Sequence, residues 1–364
     1  MEVLLLIKYT KGIIIIMHNK LDKMEEILFK TLRRFMPSVV AVPLLVAGLA
    51  ASAQTVNVGA AGNVGGMIVF VAQAKGFFAK NGIDAKVVTR QTGGALTKSL
   101  RAGEMDYAPA AFTNLPAALE KGMNVRAFVG YTGASYVKST SDNFVGIAAR
   151  AGSGIKTLKD LRGKKIGVTF ASTGDLYLRT ILRKNGITKR DYKRINTRPP
   201  SLVAVLDTGG VDAIVAWEPN LTRSLDKVKG ATLISRGGDH VCFCAGLHGF
   251  PDKVYKDRKR TQGVVDAMAQ AASWLRNPAN LDEAAQIGSR FVRGMTPELT
   301  KRTMPHIVYD VRMGENTKKA FSFAVAELIK QKKMKKPYDP DKYFDFSFID
   351  STMKRHPEWF ADLK

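Results

Sequence analysis

The sequence is poor in the residues that build metal and redox centres, with two cysteines and five histidines in 364 residues. No C-x-x-C pair occurs, and His18, His240, His248, His306 and His356 are scattered, so no metal site is expected. Cys242 and Cys244 stand two apart in Cys-Phe-Cys. On an extended strand such residues share a face with Cα atoms about 7 Å apart, too far for an unstrained bridge, and a buried, reduced pair is expected. No nucleophile–base pair is legible, so no catalytic residue, no enzyme activity and no cofactor are assigned. The glycines after the first strand lack the G-x-G-x-x-G order, which removes the argument for a dinucleotide. Past residue 53 no segment carries about 18 unbroken apolar residues, so no later membrane span is expected.

Acidic residues are also scarce, with 32 Asp and Glu against 56 Lys and Arg and a formal charge of +24. Charge of that sign favours anionic partners, nucleic acid among them. The cations are spread along the chain, however, with local clusters only at 253–260 and 330–336, and no helix-turn-helix start, zinc spacing or aromatic RNA-binding signature accompanies them. Solvated helix faces, with attraction to small anions or anionic lipid, are the better reading, and no nucleic-acid partner is expected.

What is present is enough apolar material, 45% of the residues, for two ordinary domains. Residues 1–53 stand apart as an N-terminal extension and signal peptide. Lys30 to Arg34 is basic, Val39 to Leu49 is apolar but too short to cross a bilayer, and Ala51-Ser52-Ala53 offers a cleavage site. Export to the periplasm with cleavage after Ala53 is expected. Residues 1–29 fit neither a signal nor a domain, and the expected start is Met17, Met24 or Met36. From Gln54 onward 49 basic residues remain against 28 acidic ones, a charge of +21.

The organising stretch is Lys156 to Ile187. A short helix ends near Arg162-Gly163, an apolar strand runs from Lys165 to Phe170, and Ala171-Ser172-Thr173-Gly174 turns into a helix beginning at Asp175. Backbone N–H groups and the positive end of a helix dipole meet at such a turn, which makes a seat for a small anion. The same residues also suit a plain helix cap at Ser172 or Thr173.

In chain order, Val56 to Val58 reads as a strand followed by a glycine-rich loop, Gly59 to Gly66, and a helix over Met67 to Lys75 closed by a glycine stop. A strand at Ala85 to Thr89 completes a βαβ start, whose first loop lies where open α/β sheets bind ligands. Thr113 and Asn114 precede Pro116, which suits the first turn of a helix. Val125 to Tyr131, Phe144 to Ala149 and Cys242 to Leu247 read as strands. Leu100 to Asp106 and Leu206 to Asp212 repeat one pattern: helix, glycine stop, Asp, strand. Val264 to Leu275, Leu281 to Phe291 and Ala320 to Ile329 read as amphipathic helices, and Tyr343 to Phe348 as an aromatic tail packed back on the body.

This order of motifs resembles the periplasmic substrate-binding proteins of the nitrate, sulfonate and taurine class of ABC importers, over roughly Val56 to Phe348. The likeness rests on Ala74-Lys75-Gly76-Phe77-Phe78 with Gly82-Ile83-Asp84, Ala102 to Asp106, Gly152-Ser153-Gly154-Ile155 with Asp160 to Lys164, and Gly210 to Ala213 with Trp217-Glu218-Pro219. It implies an α/β, two-lobed periplasmic-binding-protein fold of type II, each lobe a mixed sheet flanked by helices, joined by two crossover hinges. Lobe 1 would comprise 54–142 and, with the C-terminal helices and tail, 248–364. Lobe 2 would be 143–247. The implied function is capture of a small anionic solute by a monomer that delivers it to a membrane permease. The ligand-binding residues expected are Gly65, Gly66 and Met67 for shape, Thr113 and Asn114 from lobe 1, and Ser172, Thr173 and Gly174 for the anionic group. Trp217 would stack on the ligand. Glu218 would receive an amine if it faces the cleft, as taurine carries; Trp217-Glu218-Pro219 also reads as a packed strand end. A thiamine-pyrimidine precursor or an aromatic acid is the alternative ligand. The similar pyrimidine synthase has a Cys-rich iron-binding run containing Cys-Phe-Cys, but here its further cysteines and its sacrificial histidine near Thr113 are missing.

Overall fold

A computed structural model describes residues 55–112 and 114–363. The expected signal peptide, its cleavage after Ala53, and Thr113 lie outside the described residues. The chain divides into units 1–52 and 53–364, and every described element belongs to the second.

Strand β1 (Val56–Ala61) leads through a 3-10 turn at Val64–Gly66 into α1 (Met67–Ala74), α2 (Phe77–Lys80) and β2 (Ala85–Arg90). Then come α3 (Gly93–Arg101), β3 (Ala108–Ala111), α4 (Leu115–Glu120) and β4 (Arg126–Thr132). A second block holds β5 (Val145–Ala149), β6 (Lys165–Val168), α5 (Thr173–Lys184), β7 (Lys193–Asn196) and α6 (Leu202–Asp207). It closes with β8 (Ala213–Trp217), α7 (Asn220–Lys227) and β9 (Thr232–Arg236). The chain returns through β10 (Ala245–Gly249) to α8 (Pro251–Tyr255), α9 (Arg258–Arg276), α10 (Leu281–Phe291), α11 (Pro297–Thr303), α12 (Glu315–Lys330) and α13 (Ser347–Arg355).

Two sheet systems result. β1 pairs in parallel with β2, and β10 lies antiparallel between β3 and β4; the bridge Val58 to Tyr107 ties the two pieces together. The second sheet has the order β7-β6-β8-β5-β9, parallel in its first three strands and antiparallel in the rest. The chain passes between them twice, after β4 and before β10. These two passes run side by side: Ser141 bridges Cys242, and the Phe243 N–H donates to the Ser141 carbonyl at 2.8 Å.

The second sheet is buried on both faces, as its unbroken apolar strands require. Val145, Ile147, Ala213 and Val215 face a core shared with Leu178, Ile181 and Leu182 of α5. The alternate residues Ala148, Ile214 and Ala216 face Leu202, Leu206 and Leu221 on the other side. Helix α5 starts where Ser172 Oγ accepts the Asp175 N–H, and Arg183 and Lys184 sit at the negative end of its dipole. It stops at Asn185 because Gly186 takes φ of 70°.

The repeated Asp motif has a common structural use. The Asp106 carboxylate accepts the Asn57 N–H and that of Asp212 accepts the Lys165 N–H, each at 2.9 Å. Each Asp therefore pins the first turn-out of one strand to the start of its parallel neighbour. The aromatic tail packs back: Tyr343, Phe344 and Phe348 are buried, and Phe344 bridges Ala127.

Two expectations are corrected. The strand expected to reach Phe170 stops at Val168, because the Phe170 N–H turns to the Asn196 side chain and the chain then bends through Ala171 at a left-handed φ of 56°. Cys242 and Cys244 are joined in a disulfide with Cα atoms 5.0 Å apart, not reduced. A spacing near 7 Å holds for a continuous strand, but β10 begins only at Ala245, and the chain before it is free to bend the two cysteines together.

Candidate functional site

The carboxyl ends of six strands, four from the first sheet system, with Tyr131 and Thr132 ending β4, and two from the second, surround a cavity of about 260 Å³. From the first sheet come Ala61 at the end of β1, Gln91 to Gly94 after β2, and Pro109 to Ala111 of β3. From the second come Thr169 to Thr173 after β6 and Trp217 at the end of β8. Thr132, Phe144, Phe243 and Ala245, on or beside the two passes between sheets, close its floor. Strand carboxyl ends are where α/β sheets expose helix N-termini and free loops, so the topology alone selects this place.

The walls are largely apolar, with five aromatic rings among them. Phe144 and Phe243 meet edge to face with centroids 4.8 Å apart, and Trp217 lies 6.3 Å from Phe243. Tyr131 and Phe170 complete the apolar lining. The Tyr131 hydroxyl accepts the Ala61 N–H at 3.1 Å, and burial raises its pKa far above the ordinary phenol range, so it stays neutral. Polar groups are few: Asn63, Gln91, Thr92, Asn114, Thr132 and the Thr169–Thr173 turn. No Asp, Glu, Lys, Arg or His lines the cavity among the described residues.

The expected site residues divide into two groups. Gly65, Asn114, Ser172, Thr173 and Trp217 line the cavity. Ser172 is also the helix cap: its Oγ donates to the Thr169 carbonyl at 2.6 Å and accepts the Asp175 N–H at 3.2 Å. The Asn114 Nδ2 donates to the Ala171 carbonyl at 2.5 Å, linking the first-sheet side to the second across the opening.

Gly66, Met67, Gly174 and Glu218 do not line it. A Cβ on Gly66 would collide with the Ala61 carbonyl, so glycine there serves the tight turn and not a solute. Met67, the first residue of α1, is fully buried with its sulfur against Gly288 of α10, and Gly174 faces Trp217 and Val215 from behind. Glu218 is wholly buried; its Oε1 accepts from the Arg236 guanidinium at 2.5 Å and from Thr222 Oγ1 at 2.9 Å, and its Oε2 accepts the Thr222 N–H at 3.0 Å. It caps α7 and neutralises Arg236, which places it among the strand-end packing residues and removes it as a receptor for an amine. Thr113 lies outside the described residues.

The sequence reading missed Gln91 to Gly94, although they repeat the signal used at 171–174: a strand, small polar residues, then a helix. Thr92 Oγ1 caps α3 by accepting the Ala95 N–H at 3.1 Å. Tyr131, Phe144 and Phe243 carried no local signal, since each sits in a segment legible only as extended chain.

Behind the cavity the two halves are clasped on both flanks. On one, the Arg183 guanidinium pairs with Glu327 of α12 at 3.1 Å and Arg179 donates to Gln331 at 2.7 Å. Burial would raise the Glu327 carboxyl, but hydrogen bonds from Arg183 and Lys330 outweigh it and hold the pKa below the usual range. On the other flank Arg302 of α11 holds both oxygens of Asp226 on α7 at 2.8 Å.

Residues 63–280 match the family described as NMT1/THI5 like. A Brucella abortus binding protein is 29% identical over 193 residues, 52% of this chain and 53% of its own length. The chain thus spans about half the length of the first curated relatives it matches. The taurine-binding periplasmic protein of Escherichia coli is 28% identical over 277 residues, 70% of this chain and 79% of that one. Among solved structures, the alkanesulfonate-binding protein SsuA from Xanthomonas axonopodis, bound to MOPS, superposes with a TM-score of 0.66 at 20% identity, covering 78% of this chain and 94% of that one. The fold is therefore the two-lobed periplasmic-binding-protein fold, with mixed sheets flanked by helices and two crossovers. With more than half of its residues inside the matched region, the chain belongs to the NMT1/THI5-like family.

Proposed function

We propose that the chain is the exported solute-binding component of an ABC importer, a monomer that captures a small anion between its lobes and presents it to a membrane permease without transforming it. Lobe 1 is 54–142 with 248–364, and lobe 2 is 143–247. The observation that carries this reading is the cavity itself, walled from both sheets at strand carboxyl ends and bridged by Asn114 to Ala171. A solute touching both walls stabilises the closed form, because only that form offers both surfaces at once. The names of the relatives, taurine-binding and alkanesulfonate-binding, support the solute class. Kinship with a periplasmic taurine-binding protein supports a periplasmic location, and the basic and apolar stretches of residues 30–53 are the grounds for a signal peptide cleaved after Ala53.

The lining narrows the ligand. A bare inorganic anion would leave most of a 260 Å³ cavity unfilled, and the aromatic walls favour an organic anion with an apolar body. With Glu218 engaged by Arg236 and Thr222, no carboxylate stands ready for the ammonium of a taurine-like zwitterion. The aromatic-acid alternative gains from this lining.

A thermal-shift panel of nitrate, taurine, methanesulfonate, benzenesulfonate and benzoate tests the reading. At about 100-fold excess over Kd a true ligand contributes about 2.7 kcal/mol, and a rise of roughly 5 °C in Tm is expected for an aromatic member. A flat response across the panel would remove small-anion capture.

A further inference from the structure

The cavity lining holds no charged side chain among the described residues, yet the proposed solute is an anion, so beyond the neutral donors of the Thr169–Thr173 turn any charge that favours it lies one layer back. That layer is lopsided. Asp175, with a side chain only 3% exposed, receives two guanidinium groups: Arg179 at 2.9 Å and Arg194 at 2.5 Å. One carboxylate against two cations leaves a net positive charge beside the N-terminus of α5, whose dipole adds in the same sense. Arg194 also stacks 4.7 Å over the ring of Phe170, a lining residue. Lys333, from the lobe 1 side, adds a third cation nearby: burial first, then Arg179 and Arg194, push its ammonium below the ordinary lysine range, with Asp175 opposing. Gln331 accepts from Arg179 at 2.7 Å, so this cluster spans both lobes.

The second strand end contrasts in charge. Glu218 and Arg236 form a one-to-one pair and cancel, so the pair next to Trp217 adds no net charge. The cavity wall is therefore polarised, positive behind Thr169 to Thr173 and without added charge beside it at Trp217. Such fixed charge acts through the wall without contact.

Resting on the solute-binding reading, we propose that Arg194 and Arg179 are the specificity-determining residues of this cavity, and that they select a planar aromatic body bearing a single negative end, oriented with that end at the Thr169–Thr173 turn. Neither residue touches the solute; both are positioning residues that set the potential it meets. A neutral isostere fits the same aromatic walls but loses the field, and an ammonium on the same ring is repelled.

The test is calorimetric titration with benzoate and its neutral isostere benzamide, on the wild type, R194Q, R179Q and R194K, with K259Q, at an exposed position in the first turn of α9, as a remote loss of one charge. The wild type is expected to bind benzoate at least tenfold more tightly than benzamide. R194Q and R179Q are each expected to cut that ratio at least threefold by weakening benzoate alone, with benzamide unchanged within twofold. R194K, which keeps the charge, and K259Q are expected to preserve it. A merely structural role would weaken both probes together. The proposal is overturned if wild type binds benzamide as tightly as benzoate, if neither Arg variant changes the ratio, or if K259Q changes it as much. It is also overturned if neither probe binds while methanesulfonate or taurine raises Tm, and capture between the lobes then still stands. No Tm response to any solute would instead remove the underlying reading.

Discussion

Two strands of the second sheet, β6 and β8, run in parallel, each leads through a turn into a helix and each brings residues at its carboxyl end to the same cavity, yet they use a carboxylate in opposite ways. After β8, Glu218 turns inward, takes the Thr222 N–H of its own helix and cancels Arg236. After β6, Asp175 sits in the first turn of α5 and draws in two arginines, while Ser172 Oγ caps the helix. The first turn is electrically closed and contributes a ring, Trp217. The second keeps an excess of positive charge and contributes polar groups. Equivalent places in one sheet therefore become a hydrophobic wall and an anion-facing wall through the stoichiometry of acid to base behind them.

The largest expected effect would break the closed turn. Glu218→Ala leaves the Arg236 guanidinium, only 15% exposed, without its partner, and should cost about 3 kcal/mol in urea-unfolding free energy. Solute affinity of the folded fraction should change little, and a specific loss of affinity would return Glu218 to the site.

Acid offers a second break, in the first sheet. Burial pushes His248 of β10 down to about 4. Above the ordinary value of 6.5 the histidine is neutral whether folded or not. Between pH 6.5 and about 4 the unfolded chain takes up a proton that the folded one refuses, so stability falls with pH by about 3 kcal/mol. His248→Leu should flatten that part of the stability profile.

Ser172→Ala with Thr173→Ala should sharpen the comparison at the open turn. Loss of the cap costs about 1 kcal/mol of stability, and solute binding should weaken by about 1–3 kcal/mol in calorimetry. Unchanged affinity would leave Ser172 a helix cap and nothing more. The smallest change is expected from Asn114→Ala, which removes the bond to Ala171: a two- to threefold rise in Kd, equivalent to about 0.5 kcal/mol.

Much of the framework was legible because it is local. The helix at 173–184 announces itself by Ser172, by apolar spacing and by Asn185-Gly186, and the two Asp repeats by their glycine stops. The helix over 258–276 was read too short, since Gly263 and the charged first turn hide its start; Gly263 is required because a Cβ there would meet the Asn81 carbonyl at 2.6 Å. Glu218 shows the limit of local reading: its neighbour Trp217 was placed by pattern, but the Arg236 that determines its direction is 18 residues away on β9. Phe243 shows the same limit, since its ring reaches the cavity through the bend at Cys242 and Cys244 that no pattern of alternation reveals.

The amino-acid order by itself determined the alternation of strands and helices, the glycine turns and the polar strand ends, because those depend on backbone preferences and on apolar period over a few residues. Which strand ends meet, which rings face the space between them, and which acid is matched by one arginine or by two were decided only when the chain crossed twice between its sheets, because pairing and burial join residues that the sequence keeps far apart.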